Sequence, residues 1–223
     1  MTRISHSLLD PLIGPRIKAL YPHLRLPRSL PPEAIVLAGH LSAIAGAVGF
    51  AFSTRFWWGG VLAAIGVAGN HAADCLDGTH ARQTGQCRNG GELLDHFTDP
   101  LSFAYWMIGI AVACGRLDIG LAAVCCLFAF AVLTNIKAKM TGEFQLAAFG
   151  PTEFKTGLVL LGIVFSSMVG FSVTPDLRVQ IATWVYAAMT LSGCCFLVWQ
   201  LVSSIREVNQ SAAPADTSEW VCR

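Results

Sequence analysis

Charge is scarce in this chain: Asp, Glu, Lys and Arg make up 13% of its 223 residues, while 54% are hydrophobic. Soluble domains carry about 25% charged residues, so roughly half the usual solubilising charge is missing and lipid becomes the expected main solvent. Metal-type cysteine spacing is lacking too. The eight cysteines form no CxxC pair, and no His stands at zinc spacing from them, so neither a zinc site nor a disulfide framework is expected. Most of them lie in apolar runs, where Cys behaves as a small hydrophobe. The segment before residue 30 lacks a continuous apolar run and holds Pro11, Pro15 and scattered Arg, so it is not read as a cleavable signal peptide. There is no internal repeat and no low-complexity tract. A net charge of +1 carries no information about partners, and no nucleic acid is expected.

Long apolar runs, by contrast, are plentiful. A membrane span needs about 20 largely apolar residues to cross about 30 Å of hydrocarbon. Six stretches qualify or nearly so, at 35–54, 57–77, 92–114, 118–138, 155–171 and 177–204. Clusters such as Thr54-Arg55, Gly115-Arg116, Gly150-Pro151 and Thr174-Pro175-Asp176 separate them. The expected fold is an all-α integral membrane protein: a cytoplasmic juxtamembrane segment over 1–34, six transmembrane helices over 35–205, and a polar cytoplasmic tail over 206–223. The basic, leucine-bearing segment before residue 30 either lies along the membrane surface or is a solvated leader.

Lys and Arg orient this bundle. With six spans, both termini and the 2–3 and 4–5 loops share one side. Of the fifteen Lys and Arg residues, only Arg55, Arg116 and Arg178 fall on the other. That asymmetry places both termini in the cytoplasm.

Five of the fourteen acidic residues crowd between positions 74 and 99: Asp74, Asp77, Glu92, Asp95 and Asp99. An Asp at the centre of a span costs about 2.5–3.5 kcal/mol, less near the interface, and several together repel, so something cationic must hold them. If span 2 stays helical to Arg82, the 100° step places Asp77, Ala81, Asp74, Gly78 and Arg82 in one stripe about 140° wide. Gly91, Asp95 and Asp99 follow at i, i+4, i+8 on the next helix, with Glu92 at the margin. A short connection makes the two helices antiparallel neighbours, so the acidic faces can meet. Clustered carboxylates without thiolates suit a hard cation such as Mg²⁺ or Mn²⁺, and two ions about 3.5–4 Å apart are the recurring device for phosphoryl displacement. Gly78, Ala81 and Gly91 would let a bulky substrate approach, and Arg82 can pair with a phosphate. A plain salt-bridge network is the blander reading, but only Arg82 and Arg88 lie nearby for five acids. A carboxylate-lined ion pathway is the non-enzyme rival.

Asp74-Cys75-Leu76-Asp77-Gly78-Thr79-His80-Ala81-Arg82, then Gly91, Asp95 and Asp99, resembles the signature of the CDP-alcohol phosphotransferase family at every fixed position. The resemblance implies six transmembrane helices, a homodimer, and an active site open to the cytoplasm and the bilayer. It implies that Asp74, Asp77 and Asp95 bind two metal ions, and that Asp99 shares in metal binding or acts as the base on the acceptor hydroxyl. Gly78, Ala81 and Arg82 would belong to the CDP-binding surface, with Gly91 beside it. A hydroxyl acceptor would attack the phosphorus bearing the alcohol, and CMP would leave.

Two patches bear on the branch. Gly91-Glu92-Leu93-Leu94-Asp95-His96 resembles the choline and ethanolamine phosphotransferases, which implies that Glu92 and His96 assist catalysis. Thr141-Gly142 and Gly150-Pro151-Thr152-Glu153 resemble the same branch. The main expectation is therefore transfer from a CDP-aminoalcohol to a diacylglycerol-like lipid. Eukaryotic members of that branch are longer, however, and 223 residues suits bacterial enzymes that use CDP-diacylglycerol and a polar alcohol, which is the alternative. Lys137, Lys139 and Lys155 read as helix-end anchors at the headgroups, or else as partners of a phosphate beside the site. Trp57, Trp58, Trp106, Trp184 and Trp199 read as interface anchors or packing, and His40 and His71 as satisfied helix contacts. An Asp-rich membrane prenyltransferase would need a second acidic cluster, which the residues past Asp99 do not supply.

Overall fold

A computed structural model describes residues 2–147 and 149–210. In chain order the elements are β1 (Thr2–Ser5), α1 (Asp10–Ala19), α2 (Tyr21–Leu24), α3 (Pro32–Phe52), α4 (Trp57–Thr84), α5 (Asn89–Cys114), α6 (Leu117–Thr141), β2 (Glu143–Leu146), α7 (Pro151–Gly170) and α8 (Pro175–Gln210). Helices α3 to α8 are the six expected long helices. Among the described residues, five helices are long and apolar enough to cross a membrane: α3, α5, α6, α7 and α8. Helix α4 falls outside that set by composition because its second half carries Asn70, His71, Asp74 and Asp77.

Several helices run beyond the apolar windows read from sequence. Helix α4 continues past residue 77 to Thr84, α5 begins at Asn89, α7 begins at Pro151, and α8 extends to Gln210, into the stretch read as the tail. Residues 211–223 of that tail lie outside the described residues. Hydropathy marks where a helix meets hydrocarbon, whereas caps mark where it ends. Pro151 stands at the first position of α7, where its missing N–H costs nothing, and the Gly150 N–H donates to Glu153 Oε2 at 2.9 Å. The turn after α4 is made by Gly85 at φ 74°, a left-handed conformation that closes the helix onto the Ala81 carbonyl and that glycine adopts without a Cβ penalty. That tight ending brings α5 back antiparallel beside α4.

The core lies where α3, α4 and α5 meet. Ala43, Phe50, Ala63, Val67, Trp106 and Ile110 are all fully buried there. Trp106 is therefore a packing residue, its indole N–H donating to the Ala43 carbonyl at 2.9 Å. Trp57, Trp58, Trp184 and Trp199 are exposed, as lipid-facing anchors would be. Helix α7 packs against α4 on another side. The crossing depends on small residues: a Cβ added to Gly60 would fall on the Gly162 carbonyl oxygen and 2.5 Å from the Ser166 nitrogen. Close backbone approach of this kind drives helix association where lipid removes the hydrophobic force. Gly60→Ala is accordingly expected to destabilise the bundle by about 1–3 kcal/mol, the usual cost of overpacking. Thermal unfolding in detergent would show this, and an unchanged midpoint would mean that α4 and α7 do not cross so closely.

The structure departs from the all-helical expectation in one place. Strands β1 and β2 pair in parallel, with Thr2 opposite Glu143 and Ser5 opposite Leu146. The N-terminal segment thus begins with a short strand, Thr2–Ser5. It is tied to the α6–α7 connection before α1 begins.

Candidate functional site

The signature residues come together as the helical stripe requires. Because α4 stays helical through Thr84, Asp74 faces α5, and one oxygen each from Asp74, Asp95 and Asp99 lie within 4.8 Å of one another. Asp77 is buried but stands outside this group, and its Oδ1 accepts the Gly78 backbone N–H. The carboxylates of the two helices thus meet, with Asp77 beside the converging three. Gly78 makes room for the Arg82 guanidinium, which lies 3.2 Å from where a Cβ would stand, and Arg82 and Ala81 follow on the same stripe. Gly91 opens near Glu33, which pairs with Arg88 at 3.0 Å.

The cation needed by these acids comes from a distant helix. Lys155 of α7 is only 1% exposed, with Nζ 2.8 Å from Asp74 Oδ2 and 3.6 Å from Asp99 Oδ1. The ammonium also sits 5.6 Å from the centre of the Phe103 ring. Lys155 is therefore no headgroup anchor. Lys137 is not one either, since it binds Glu207 at 2.6 Å and Gln145 at 3.2 Å and ties α6 to α8. Lys139 is exposed and keeps the anchor reading.

Glu92 and His96 stand at the edge of the site. His96 Nε2 is 3.9 Å from Glu92 Oε1, and the imidazole meets the Phe144 ring of β2 edge-on at 5.2 Å between centroids. Both side chains are partly exposed, so this is a loose pair at an entrance. On the α3 side a narrow recess leads from the cluster past Asn70, His40 and Ser102. The Asn70 amide donates to the Gly39 carbonyl at 3.2 Å and to Ser102 Oγ at 3.4 Å. His40 is engaged by Tyr105, as a satisfied contact should be. His71 is not: both its ring nitrogens are buried without a hydrogen-bond partner among the described residues.

Three further residues near the site were not singled out for these roles. Glu153, 8% exposed, receives Ser7 Oγ–H at 2.6 Å and the backbone N–H groups of Leu8 and Leu9 at 2.8 and 2.9 Å, all on Oε1. Thr152 donates to Asp10. These contacts clamp the N-terminus onto the start of α7, two residues before Lys155. His80 is fully buried and bridges two segments. Its Nε2 lies 2.8 Å from the Leu30 carbonyl and must donate to it, so Nδ1 accepts the Tyr21 hydroxyl at 2.6 Å. A buried His inside the signature and a Glu three residues after Gly150 were visible as letters; their partners, fifty or more residues away, were not.

The donor set fits a hard divalent ion. Three carboxylates from two rigid helices offer oxygen only, the ligand chemistry of Mg²⁺ and Mn²⁺.

Comparison with known sequences agrees with the site. Residues 32–205 match the sequence model of the CDP-alcohol phosphatidyltransferase family. The phosphatidylinositol phosphate synthase of Mycolicibacterium smegmatis is 29% identical over 168 residues, covering 73% of this chain and 73% of its own length. That of Streptomyces avermitilis is 28% identical over 209 residues, covering 86% and 79%. Cholinephosphotransferase 1 of Gallus gallus is 33% identical over 113 residues, but this spans 48% of the chain and 33% of that protein.

Proposed function

The chain belongs to the CDP-alcohol phosphatidyltransferase family, a family of membrane transferases of substituted phosphate groups, and from that premise we propose that it moves the phosphatidyl group of CDP-diacylglycerol to a polar alcohol and releases CMP. The extent of similarity carries this reading. Likeness to the phosphatidylinositol phosphate synthases runs through most of both chains, while likeness to the cholinephosphotransferases of Gallus gallus and Rattus norvegicus covers 48% and 26% of this chain and 33% and 14% of those proteins. The choline and ethanolamine reading loses its first place accordingly.

The residues act in distinct ways. Arg82 and Gly78 offer a guanidinium beside open backbone for the nucleotide's phosphates. Asp74, Asp95 and Asp99 would hold the divalent ion, which when bound supplies positive charge to the pyrophosphate and the departing CMP oxygen. The acceptor oxygen forms a bond to the phosphorus bearing diacylglycerol, the bond from that phosphorus to the CMP oxygen breaks, and the hydroxyl proton passes to a nearby base. Held by Lys155 at 3.6 Å, Asp99 is better placed as a ligand than as that base.

Incubation with CDP-diacylglycerol, CDP-choline and CDP-ethanolamine, each with a panel of polar alcohols, alcohol phosphates and diacylglycerol, tests the reading through CMP release and product mass. Turnover only with the aminoalcohol donors would sink it. The loose Glu92–His96 pair gives a second check. Glu92→Gln and His96→Ala are expected to keep turnover within a few-fold, and a loss of about 10²–10⁴-fold, the worth of a positioned acid–base pair, would restore the choline-type assignment.

Two coarser features complete the proposal. The Lys and Arg asymmetry supports cytoplasmic termini; labelling the exposed Cys87 from outside sealed vesicles, on a background without other cysteines, would contradict it. A homodimer rests on the family resemblance, and a strictly monomeric mass for active protein in mild detergent would remove it.

A further inference from the structure

We propose that Lys155 acts as a built-in cation that limits the nucleotide-free site to one divalent ion, a second being admitted only with the negative charge of a bound pyrophosphate. The inference rests on the metal-dependent reading above and deepens it. Its first support is charge. Asp74, Asp95 and Asp99 converge, and Lys155 bridges two of them. Three carboxylates and one ammonium leave two negative charges, which one divalent ion neutralises. Asp77 lies outside that group, its Oδ1 accepting the Gly78 N–H, and its charge is met by the Arg82 guanidinium one turn on.

The second support is the rigidity with which Lys155 is delivered. Its side chain is 1% exposed and its ammonium faces the Phe103 ring. Two residues earlier, Glu153 fixes the start of α7 through Ser7, Leu8 and Leu9. Other cations do not compete for the role: Arg82 is exposed, and Arg88 is engaged with Glu33. A carboxylate has two oxygens, so Asp74 and Asp99 can each accept Lys155 on one and a metal ion on the other. The cost falls on ion number, because like charges a few ångströms apart repel and the Lys155 ammonium is itself held away from water. A nucleotide pyrophosphate brings the further negative charge that a second ion needs.

The test is Mn²⁺ binding to the purified, EDTA-stripped full chain in detergent, followed by electron paramagnetic resonance and calorimetry with and without CDP. The wild type is expected to bind one Mn²⁺ alone and two with CDP. Lys155→Met is expected to bind two without CDP, the first about tenfold more tightly, while Lys155→Arg keeps the wild-type pattern. If the Met variant cannot be purified, Lys155→Gln, which retains a donor toward Asp74 without the charge, should behave as Met would. Two ions on the wild type without CDP, or wild-type stoichiometry and affinity in the Met or Gln variant, would overturn the role of Lys155. No Mn²⁺ binding by any of the proteins would instead overturn the metal reading of the site, and this inference with it.

Discussion

Asp74→Asn and Asp95→Asn are each expected to lower turnover by about 10³-fold or more, since loss of even an outer-shell partner of a metal ligand costs about 10–100-fold. Each substitution removes an anionic oxygen from the group that converges within 4.8 Å. In Asp74→Asn the effect is compounded, because the buried Lys155 ammonium, 2.8 Å away, loses its nearer counter-charge. A buried charge whose partner is removed costs about 3–5 kcal/mol, so this variant should also unfold at lower temperature than Asp95→Asn. Initial rates of CMP release and thermal unfolding, on the same preparations, separate the two effects. Turnover at the wild-type level in either variant would contradict the ligand assignment.

The α4–α5 half of the site was legible because its information is local. A carboxylate pair three residues apart on one helix, and another four apart on the next, have their faces set by the 100° step. The short link through Gly85 sets their antiparallel meeting. Lys155 was not legible for the complementary reason. It lies eighty-one positions from Asp74 along the chain, and nothing local separates a lysine entering a core from one reaching for headgroups. The imbalance of five acids against Arg82 and Arg88 did show that a cation was missing. What the sequence could not say was which helix supplied it. The N-terminal strand escaped notice similarly: Thr2–Ser5 is four residues long, and its partner, Glu143–Leu146, follows a helix far down the chain.

Asp99 and Asp77 are placed differently, and their substitutions give the sharpest contrast. The signature implies that Asp77 is a metal ligand and leaves Asp99 between ligand and base. In the structure Asp99 is the residue that joins Asp74 and Asp95, while Asp77 is turned to the backbone N–H of Gly78. On α4, Asp74 and Asp77 are about 60° apart around the axis, enough for Asp74 to meet α5 while Asp77 stays beside its own turn. Asp99→Asn is therefore expected to abolish Mn²⁺ binding in the absence of nucleotide and to lower turnover by about 10³-fold or more, as for the other two convergent ligands. Asp77→Asn should keep that first ion and lose only the one that accompanies CDP. Its turnover should fall as well, because charge opposite the departing CMP oxygen is weakened. The decisive measurement is Mn²⁺ titration of both variants without CDP. If Asp99→Asn retains the ion and Asp77→Asn loses it, the signature's ordering stands, and Asp99 returns to being the candidate base that takes the acceptor's proton.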